Sequence, residues 1–343
     1  MDKLKKARLP KIKHGGQVAV IGDGGWGTTL AILLREQGYR VCVWGPFAEY
    51  LKTLEQTREN HKFLPGVEIP AGIIFSTDIL QAVAEAEIVV LAVPSHFLRS
   101  VLNSLKGAEL GNCLVVSAVK GIENETLLRM SELIEEVLGK LKLAVLSGPT
   151  ISYEVARGLP TTCVAASQDI RWAKLAQNVF MHQRFRVYTS TDVVGVELGG
   201  ALKNVIAIAC GICDGLGFGA NTKAAILTRG LVEIARLGQA LGAKQQTFAG
   251  LSGLGDLVTT CISTHGRNLR VGEQIGRGQR LEQVLETMEM VAEGVRTCKS
   301  AFMLAQQKKI ETPIITQVNA VLYQNKDPKM AVNELMLREK KPE

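Results

Sequence analysis

Lys203 lies in Val196-Glu197-Leu198-Gly199-Gly200-Ala201-Leu202-Lys203-Asn204-Val205-Ile206-Ala207, a stretch with helical spacing. The residues three, four and seven places from it are Val196, Gly199, Gly200, Ile206, Ala207 and Cys210. That face is small or apolar and offers no partner carboxylate. A lysine so placed either snorkels its stem to water or is partly desolvated, and a desolvated ammonium has a lowered pKa and can exchange a proton with a substrate. A second constellation is Gly22-Asp23-Gly24-Gly25-Trp26-Gly27, a G-x-G-x-x-G run directly after the apolar Val18-Ala19-Val20-Ile21. Gly22 permits a tight turn, Gly24 lets backbone approach a pyrophosphate, and Gly27 lets the next helix sit close to the strand. The amides and dipole at that helix start favour negative charge. The chemistry implied is dinucleotide binding beside a proton-exchanging lysine.

Other residues have two readings each. Lys120 ends the apolar run Val115-Val116-Ser117-Ala118-Val119, so it meets an anion at the mouth of a sheet or stands in solvent as a loop lysine. Asp256, in Gly253-Leu254-Gly255-Asp256, charge-balances a lysine or caps the helix from Leu257. Arg267, between Gly266 and Asn268, offers a fork that matches two phosphate oxygens, or is surface decoration. His96 follows a strand and reads as a turn or packing residue, with a proton carrier as the alternative. Gly217-Phe218-Gly219-Ala220-Asn221-Thr222-Lys223 lacks both the glycine before its lysine and the strand that a P-loop needs. Cys210-x-x-Cys213 resembles a redox or zinc half-motif, but it sits in an apolar helical pattern with no second pair. It reads as core, and no metal is expected.

These residues need elements to carry them. Leu30, Leu33 and Leu34 give the helix after the glycines an apolar face, and Val41-Cys42-Val43-Trp44 supplies the second strand of a βαβ unit. Strand-like runs recur at Ile73 to Ser76, Ile88 to Val93, Leu114 to Ala118, Leu143 to Ser147, Thr162 to Ala166 and Phe185 to Thr189, with helical stretches between the earlier ones. The expected fold is an α/β N-terminal region, a Rossmann-like doubly wound parallel sheet, followed by an all-α C-terminal domain. The expected divisions are a basic tail at 1–16, a nucleotide-binding domain at 17–191 and a helical domain at 192–343. Ligands of such sheets sit beyond the carboxyl ends of the strands, which places Lys120-Gly121 and Gly148-Pro149-Thr150 at the crevice.

With 343 residues, 46% of them apolar, the chain can bury a large core in two domains. The net charge of +7 comes from scattered lysines and arginines without an aromatic-interleaved stripe, so anionic small molecules fit it and nucleic acid is not expected. The one basic cluster, Lys3, Lys5, Lys6, Arg8, Lys11 and Lys13, reads as a solvated tail, with a surface-anchoring role as the alternative. No secretory signal is read in the first fifteen residues and no membrane-spanning segment is expected, since the apolar runs near Ile88 to Pro94 and Val205 to Ile212 are short or interrupted. Seven cysteines in apolar contexts read as reduced core residues of a cytoplasmic protein.

Gly22 to Gly27, Leu146-Ser147-Gly148-Pro149-Thr150, the lysine segment, Gly253-Leu254-Gly255-Asp256-Leu257 and Arg267-Asn268 together resemble the NAD(P)-dependent sn-glycerol-3-phosphate dehydrogenases of the bacterial type. The likeness spans about residues 17 to 335, and the lysine segment is its most specific part. It implies Lys203 as the catalytic proton donor or acceptor. Lys120, Gly148, Thr150, Lys203, Asp256, Gly266, Arg267 and Asn268 would then line the substrate. Gly22, Gly24, Gly25, Trp26, Gly27, Lys120, Ser152, Arg267, Val291 and Glu293 would contact the cofactor. The substrate pair implied is dihydroxyacetone phosphate and sn-glycerol 3-phosphate, feeding phospholipid synthesis, in a homodimer.

Three positions depart from the family pattern. Gly266 replaces the serine often found before Arg-Asn, Ile151-Ser152 replaces Phe-Ala, and Pro46 stands where many relatives place a basic residue. The second strand ends at Trp44-Gly45-Pro46 without the acidic residue that holds ribose hydroxyls in strict NAD enzymes. On that basis NADP or NAD is admissible, with NADPH slightly favoured. A related two-domain 3-hydroxyacid dehydrogenase and a non-catalytic dinucleotide-binding redox sensor are the rival readings.

Overall fold

The computed structural model describes residues 12, 15–263, 266–288, 291–340 and 342. The basic cluster read as a tail, Lys3 to Lys13, lies outside them. Ten strands run in chain order: β1 Gln17–Ile21, β2 Arg40–Trp44, β3 Glu59–Asn60, β4 Leu64–Glu68, β5 Ile73–Ser76, β6 Ile88–Leu91, β7 Leu114–Ser117, β8 Lys142–Ser147, β9 Thr161–Ala166 and β10 Phe185–Ser190. Eight of them form one sheet in the order β10-β9-β8-β7-β6-β1-β2-β5, while β3 and β4 pair separately. The segment β5-β2-β1-β6-β7-β8 has the doubly wound order, with its switch point between β1 and β6. Val18 of β1 pairs with Val41 on one side and Ile88 on the other, so the glycine turn after Ile21 opens into the crevice where the winding reverses.

β1, β6 and β7 read as continuous apolar runs because both of their faces are covered. Val18, Val20, Ile88 and Val90 face one core, whereas Ala19, Ile21, Val89 and Leu91 face the other. One pairing departs from the expected parallel sheet: β8 and β9 run antiparallel. Their connection holds only the short helix Ser152–Ala156, so the chain turns back beside β8 instead of crossing over a face of the sheet. β10 then pairs parallel to β9 after a full helix, Ile170–Phe180.

From Val193 the structure is helical. Asp192 caps the helix Val193–Gly215, accepting from the Gly195 N–H (3.0 Å). Its other oxygen accepts from the Lys244 N–H (2.9 Å) and the Thr247 hydroxyl (2.6 Å), tying the helix start to the 244–247 segment. This helix is long and apolar enough to cross a membrane, with a mean hydropathy of 1.6 over its most apolar window. The sequence expectation that no segment qualifies is corrected to that extent. Some 94% of the window is buried inside the protein, where Leu202, Val205, Ile206, Ile208 and Ile212 form a further core with Leu237, Phe248 and Val271. The helix Arg267–Gly276 crosses it at backbone contact, since a methyl group on Gly211 or Gly272 would strike the opposite helix's main chain.

Candidate functional site

Lys203 is 6% exposed, so its ammonium is held inside the protein rather than snorkelled out. It donates to Oδ1 of Asp256 and to the Thr260 hydroxyl (2.7 Å). Lys120 reaches the same carboxylate from the other side: its Nζ donates to Asp256 Oδ2 (2.7 Å), to the Gly148 carbonyl (2.9 Å) and to the Thr150 hydroxyl (3.4 Å). Residues from four separated segments therefore converge. Lys120 follows β7, Gly148 and Thr150 follow β8, Lys203 comes from the long helix, and Asp256 and Thr260 come from the helix Asp256–Ile262.

Local structure explains the convergence. Gly148 takes φ +142°, and a side chain there would meet the Cα of Cys163 on β9 at 2.9 Å, so the turn after β8 needs glycine. Gly200 lets Ser147 and the stem of Lys120 lie against the lysine helix, and Gly199 admits the Ser252 carbonyl. A turn of π-helix, Leu251–Gly255, delivers Asp256 to the first position of its helix. The Asp256 side chain makes no cap bond to that helix; its oxygens serve the two lysines.

Two ammonium groups share one buried carboxylate, which leaves the cluster with a net positive charge. Burial pulls the Lys203 pKa down from the ordinary lysine value to about 8; Asp256 pushes it upward, and Lys120 depresses it further. The group is thus mostly protonated near neutrality and within reach of deprotonation, as a proton donor and acceptor requires.

The glycine loop is built to accept a pyrophosphate. Gly22 adopts φ +128° beside the Ala92 carbonyl, and a methyl group at Gly27 would strike the Gly22 carbonyl, so strand and helix close together only without side chains. Gly24 is different: a methyl there would meet nothing within 4 Å. The helix Gly25–Glu36 starts with no side chain capping it, leaving first-turn amides directed at that open space. A dinucleotide fits this donor set. Trp26 stands at the loop with its indole N–H unpartnered among the described residues, and the Ser152 carbonyl accepts from Thr29 (3.2 Å) on the same helix.

The remaining expected residues are spread along the crevice. Gly266 is the residue before the helix Arg267–Gly276, and Arg267 is exposed, donating to the Val291 carbonyl (3.0 Å). Asn268 is turned inward: its amide donates to Asn204 Oδ1 (2.9 Å) and accepts from the Gly294 N–H (2.9 Å). Most of its capacity is spent holding this helix to the lysine helix. Glu293 accepts from the Ser95 N–H (3.0 Å) and the Ser95 hydroxyl, joining the helical region to the loop after β6. Burial holds its carboxyl above the ordinary glutamate value, with the Ser95 donors working against that rise.

His96 stacks on Phe97, and burial together with Arg296 lowers its pKa. Lys223 pairs with Asp214 (2.6 Å). Cys210 and Cys213 are buried free thiols, and the described residues contain no group of His, Cys, Asp and Glu that could hold a metal.

Three partners were not read from the sequence. Thr260 lies four residues after Asp256, on the same helix face, and that spacing is the signal that would have found it. Asn204, next to Lys203, carried no signal of its own. Glu197, six residues before Lys203, is buried and accepts from the Ser131 N–H (2.7 Å), the Ser131 hydroxyl (2.7 Å) and the Arg129 guanidinium. It locks the lysine helix to the start of the helix Met130–Leu138 on the sheet domain, a contact between distant segments that no local pattern announces.

Comparison with known proteins agrees over nearly the whole chain. Residues 17–173 match the family described as NAD-dependent glycerol-3-phosphate dehydrogenase N-terminus, and residues 192–333 match its C-terminus. The chain is 48% identical over 329 residues to the glycerol-3-phosphate dehydrogenase [NAD(P)+] of Fusobacterium nucleatum, covering 95% of this chain and 98% of that one. It is 49% identical over 327 residues to the enzyme of the same name from Thermoanaerobacter sp., again covering 95% and 98%. The crystal structure of glycerol-3-phosphate dehydrogenase from Coxiella burnetii superposes with a TM-score of 0.91 at 34% identity, over 95% of this chain and 100% of that one. Family profiles on both halves, full-length relatives and the lysine-bearing crevice agree: this chain belongs to the NAD-dependent glycerol-3-phosphate dehydrogenase family.

Proposed function

We propose that the chain catalyses reversible hydride transfer between NAD(P)H and dihydroxyacetone phosphate, giving sn-glycerol 3-phosphate, with Lys203 as proton donor and acceptor. The observation that carries this reading is the buried Lys203 ammonium, which shares the Asp256 carboxylate with Lys120, in a chain that also carries a glycine turn fit for a dinucleotide. The nicotinamide, when bound, supplies or takes up the hydride. Lys203 gives its proton to the ketone oxygen as negative charge develops there, and takes it back from the alcohol in the reverse direction. Lys120 lies close enough to the same carboxylate to stabilise that developing charge, and Asp256 fixes both ammonium groups. Gly148 and Thr150 position Lys120, while Thr260 orients Lys203.

Arg267, at the rim, supplies the fork for the substrate phosphate together with the Gly266 backbone. Asn268 adds only what its bonds to Asn204 and Gly294 leave free. Gly22, Gly24, Gly25, Trp26, Gly27 and Ser152 hold the dinucleotide on the sheet side, and Val291 and Glu293 close over it from the helical side. Residues 17–191 and 192–343 act as the dinucleotide and substrate halves. The product serves phospholipid synthesis in the cytoplasm, and the enzyme works as a homodimer. Trp44-Gly45-Pro46 by itself leaves NADP admissible beside NAD, while Asp23 of the glycine loop brings a carboxylate over Gly45.

A spectrophotometric assay with dihydroxyacetone phosphate and either reduced dinucleotide tests the reading. Oxidation of NADH or NADPH that depends on the phosphorylated ketone supports it. Turnover of 3-hydroxy acids instead, or binding of dinucleotide without turnover on any phosphorylated ketone, would favour the rival enzymes or the sensor.

A further inference from the structure

Strict NAD enzymes with this sheet order carry an acidic residue about 20 residues beyond the glycine loop, at the end of the second strand, where it accepts hydrogen bonds from the adenosine ribose. This chain has Trp44-Gly45-Pro46 there. The structure nevertheless places a carboxylate at that spot. Asp23, the second residue of the glycine loop, lies so close over Gly45 that a methyl group on Gly45 would collide with its Oδ2 and Cγ. Gly45 itself continues the edge of β2, donating its N–H to the Ser76 carbonyl (3.2 Å). The absence of a side chain at position 45 and the presence of one at position 23 are therefore two halves of one arrangement.

Asp23 is held there. The Asn60 amide donates to its carbonyl (2.9 Å) and to Thr28 Oγ1 (2.7 Å), and Asn60 in turn accepts from the Tyr50 hydroxyl (2.5 Å). Asn60 is fully buried, so the loop backbone is pinned from beneath. The Asp23 Oδ2 packs over Gly45, out of reach of water and with no hydrogen-bond donor among the described residues, while the residue as a whole is only half-buried, which leaves its other oxygen as the acceptor a ligand can reach. A carboxylate so incompletely paired gains when a further donor arrives. Burial raises the Asp23 pKa above the ordinary aspartate value, and its own backbone N–H and the Lys62 ammonium work against that rise.

We propose that Asp23 reads the adenosine ribose of the bound dinucleotide: its carboxylate accepts from the ribose hydroxyls and repels a 2′-phosphate, so that this chain binds NAD(H) more tightly than NADP(H). The proposal rests on the reading of the glycine loop as a dinucleotide cradle. It replaces the strand-end carboxylate with one delivered from the loop, and it makes a 2′-phosphate, with nearly two negative charges, the group that is discriminated against.

The test is equilibrium binding of NADH and of NADPH by calorimetry, without substrate, to the wild-type chain and to Asp23→Asn and Asp23→Ser, each checked for an unchanged melting transition. The wild type is expected to bind NADH about tenfold or more tightly than NADPH. Asp23→Asn removes the charge but keeps an acceptor, so NADPH tightens while NADH changes little; Asp23→Ser also weakens NADH. Should either variant fail to melt like the wild type, the other carries the comparison, and the wild-type ratio alone already decides the direction. Equal or tighter binding of NADPH by the wild type, or a ratio unmoved by both substitutions, would overturn the assignment of Asp23. If the wild type bound neither dinucleotide, the cradle reading would fall first and this proposal with it.

Discussion

The glycine cradle is built from what its residues lack, whereas the lysine cluster is built from what its residues carry. At the cradle, Gly22, Gly24 and Gly27 clear space and leave amides exposed, and the attraction for a phosphate comes from fixed backbone dipoles that neither titrate nor move. At the cluster, two flexible lysines are held by Asp256, Thr260, Gly148 and Thr150, and the charge state of one of them lies close to neutrality. The first arrangement suits binding, which must not depend on protonation; the second suits chemistry, which must. The difference teaches that the two halves of the crevice can be damaged separately.

The sharpest separation is expected from Lys203→Ala. Turnover should fall by roughly 10²-fold or more, because a positioned general acid contributes about that much, while the dinucleotide dissociation constant stays within a small factor. Steady-state kinetics with parallel binding measurements read both; near-normal turnover would remove the lysine from its role. Asp256→Ala strikes the partner instead. The buried Lys203 and the half-buried Lys120 then lose their counter-charge, a change that costs on the order of 3–5 kcal/mol in buried pairs. Denaturant unfolding should show the loss, and the Lys203 pKa should drop, since Asp256 is the group that holds it up.

On the cradle side, Gly27→Ala drives a methyl into the Gly22 carbonyl. Overpacking of this kind costs about 1–3 kcal/mol, and dinucleotide affinity should weaken with it while the lysine cluster is left intact. Calorimetric binding and a melt would check that, and unchanged affinity would show that the close approach of strand and helix is dispensable. The mildest change is Thr260→Val, which removes one hydrogen bond from Lys203. The expected effect is about 0.5–1.5 kcal/mol, or a fall in turnover of no more than about tenfold.

How far the sequence could be read follows the same division. The cradle is local: three glycines, the strand before them and the helix after them sit within residues 17–36, so spacing alone identifies them. Lys203 was legible because a charge on an apolar helix face is an anomaly that the pattern itself displays. Its pairing with Asp256 was one of two readings the residues allowed; 53 residues and a π-turn separate the two, so only the packed structure decides for the lysine partner over the helix cap. Asn268 shows a cost that residue type does not reveal: part of its amide is spent on Asn204 and Gly294, which leaves less of it for a phosphate.

The antiparallel β8–β9 pair escaped for a geometric reason: a short helix after a strand looks in sequence like the start of a crossover. Asp23 escaped because the rule for ribose carboxylates searches the end of β2, and this carboxylate arrives there from the neighbouring loop. The Arg129–Glu197 tie was hidden because its partners lie far apart in the chain.

The pH dependence of kcat/KM at saturating dinucleotide, measured in both directions, tests the central claim most directly. Ketone reduction needs Lys203 protonated, so its rate should be level on the acid side of about pH 8 and fall towards tenfold per unit above it. Alcohol oxidation needs the neutral amine, so its profile should be the mirror image, falling below that same pH. Profiles that stay flat from pH 6.5 to 9.5, or that bend in the same sense in both directions, would contradict Lys203 as the group that moves the proton.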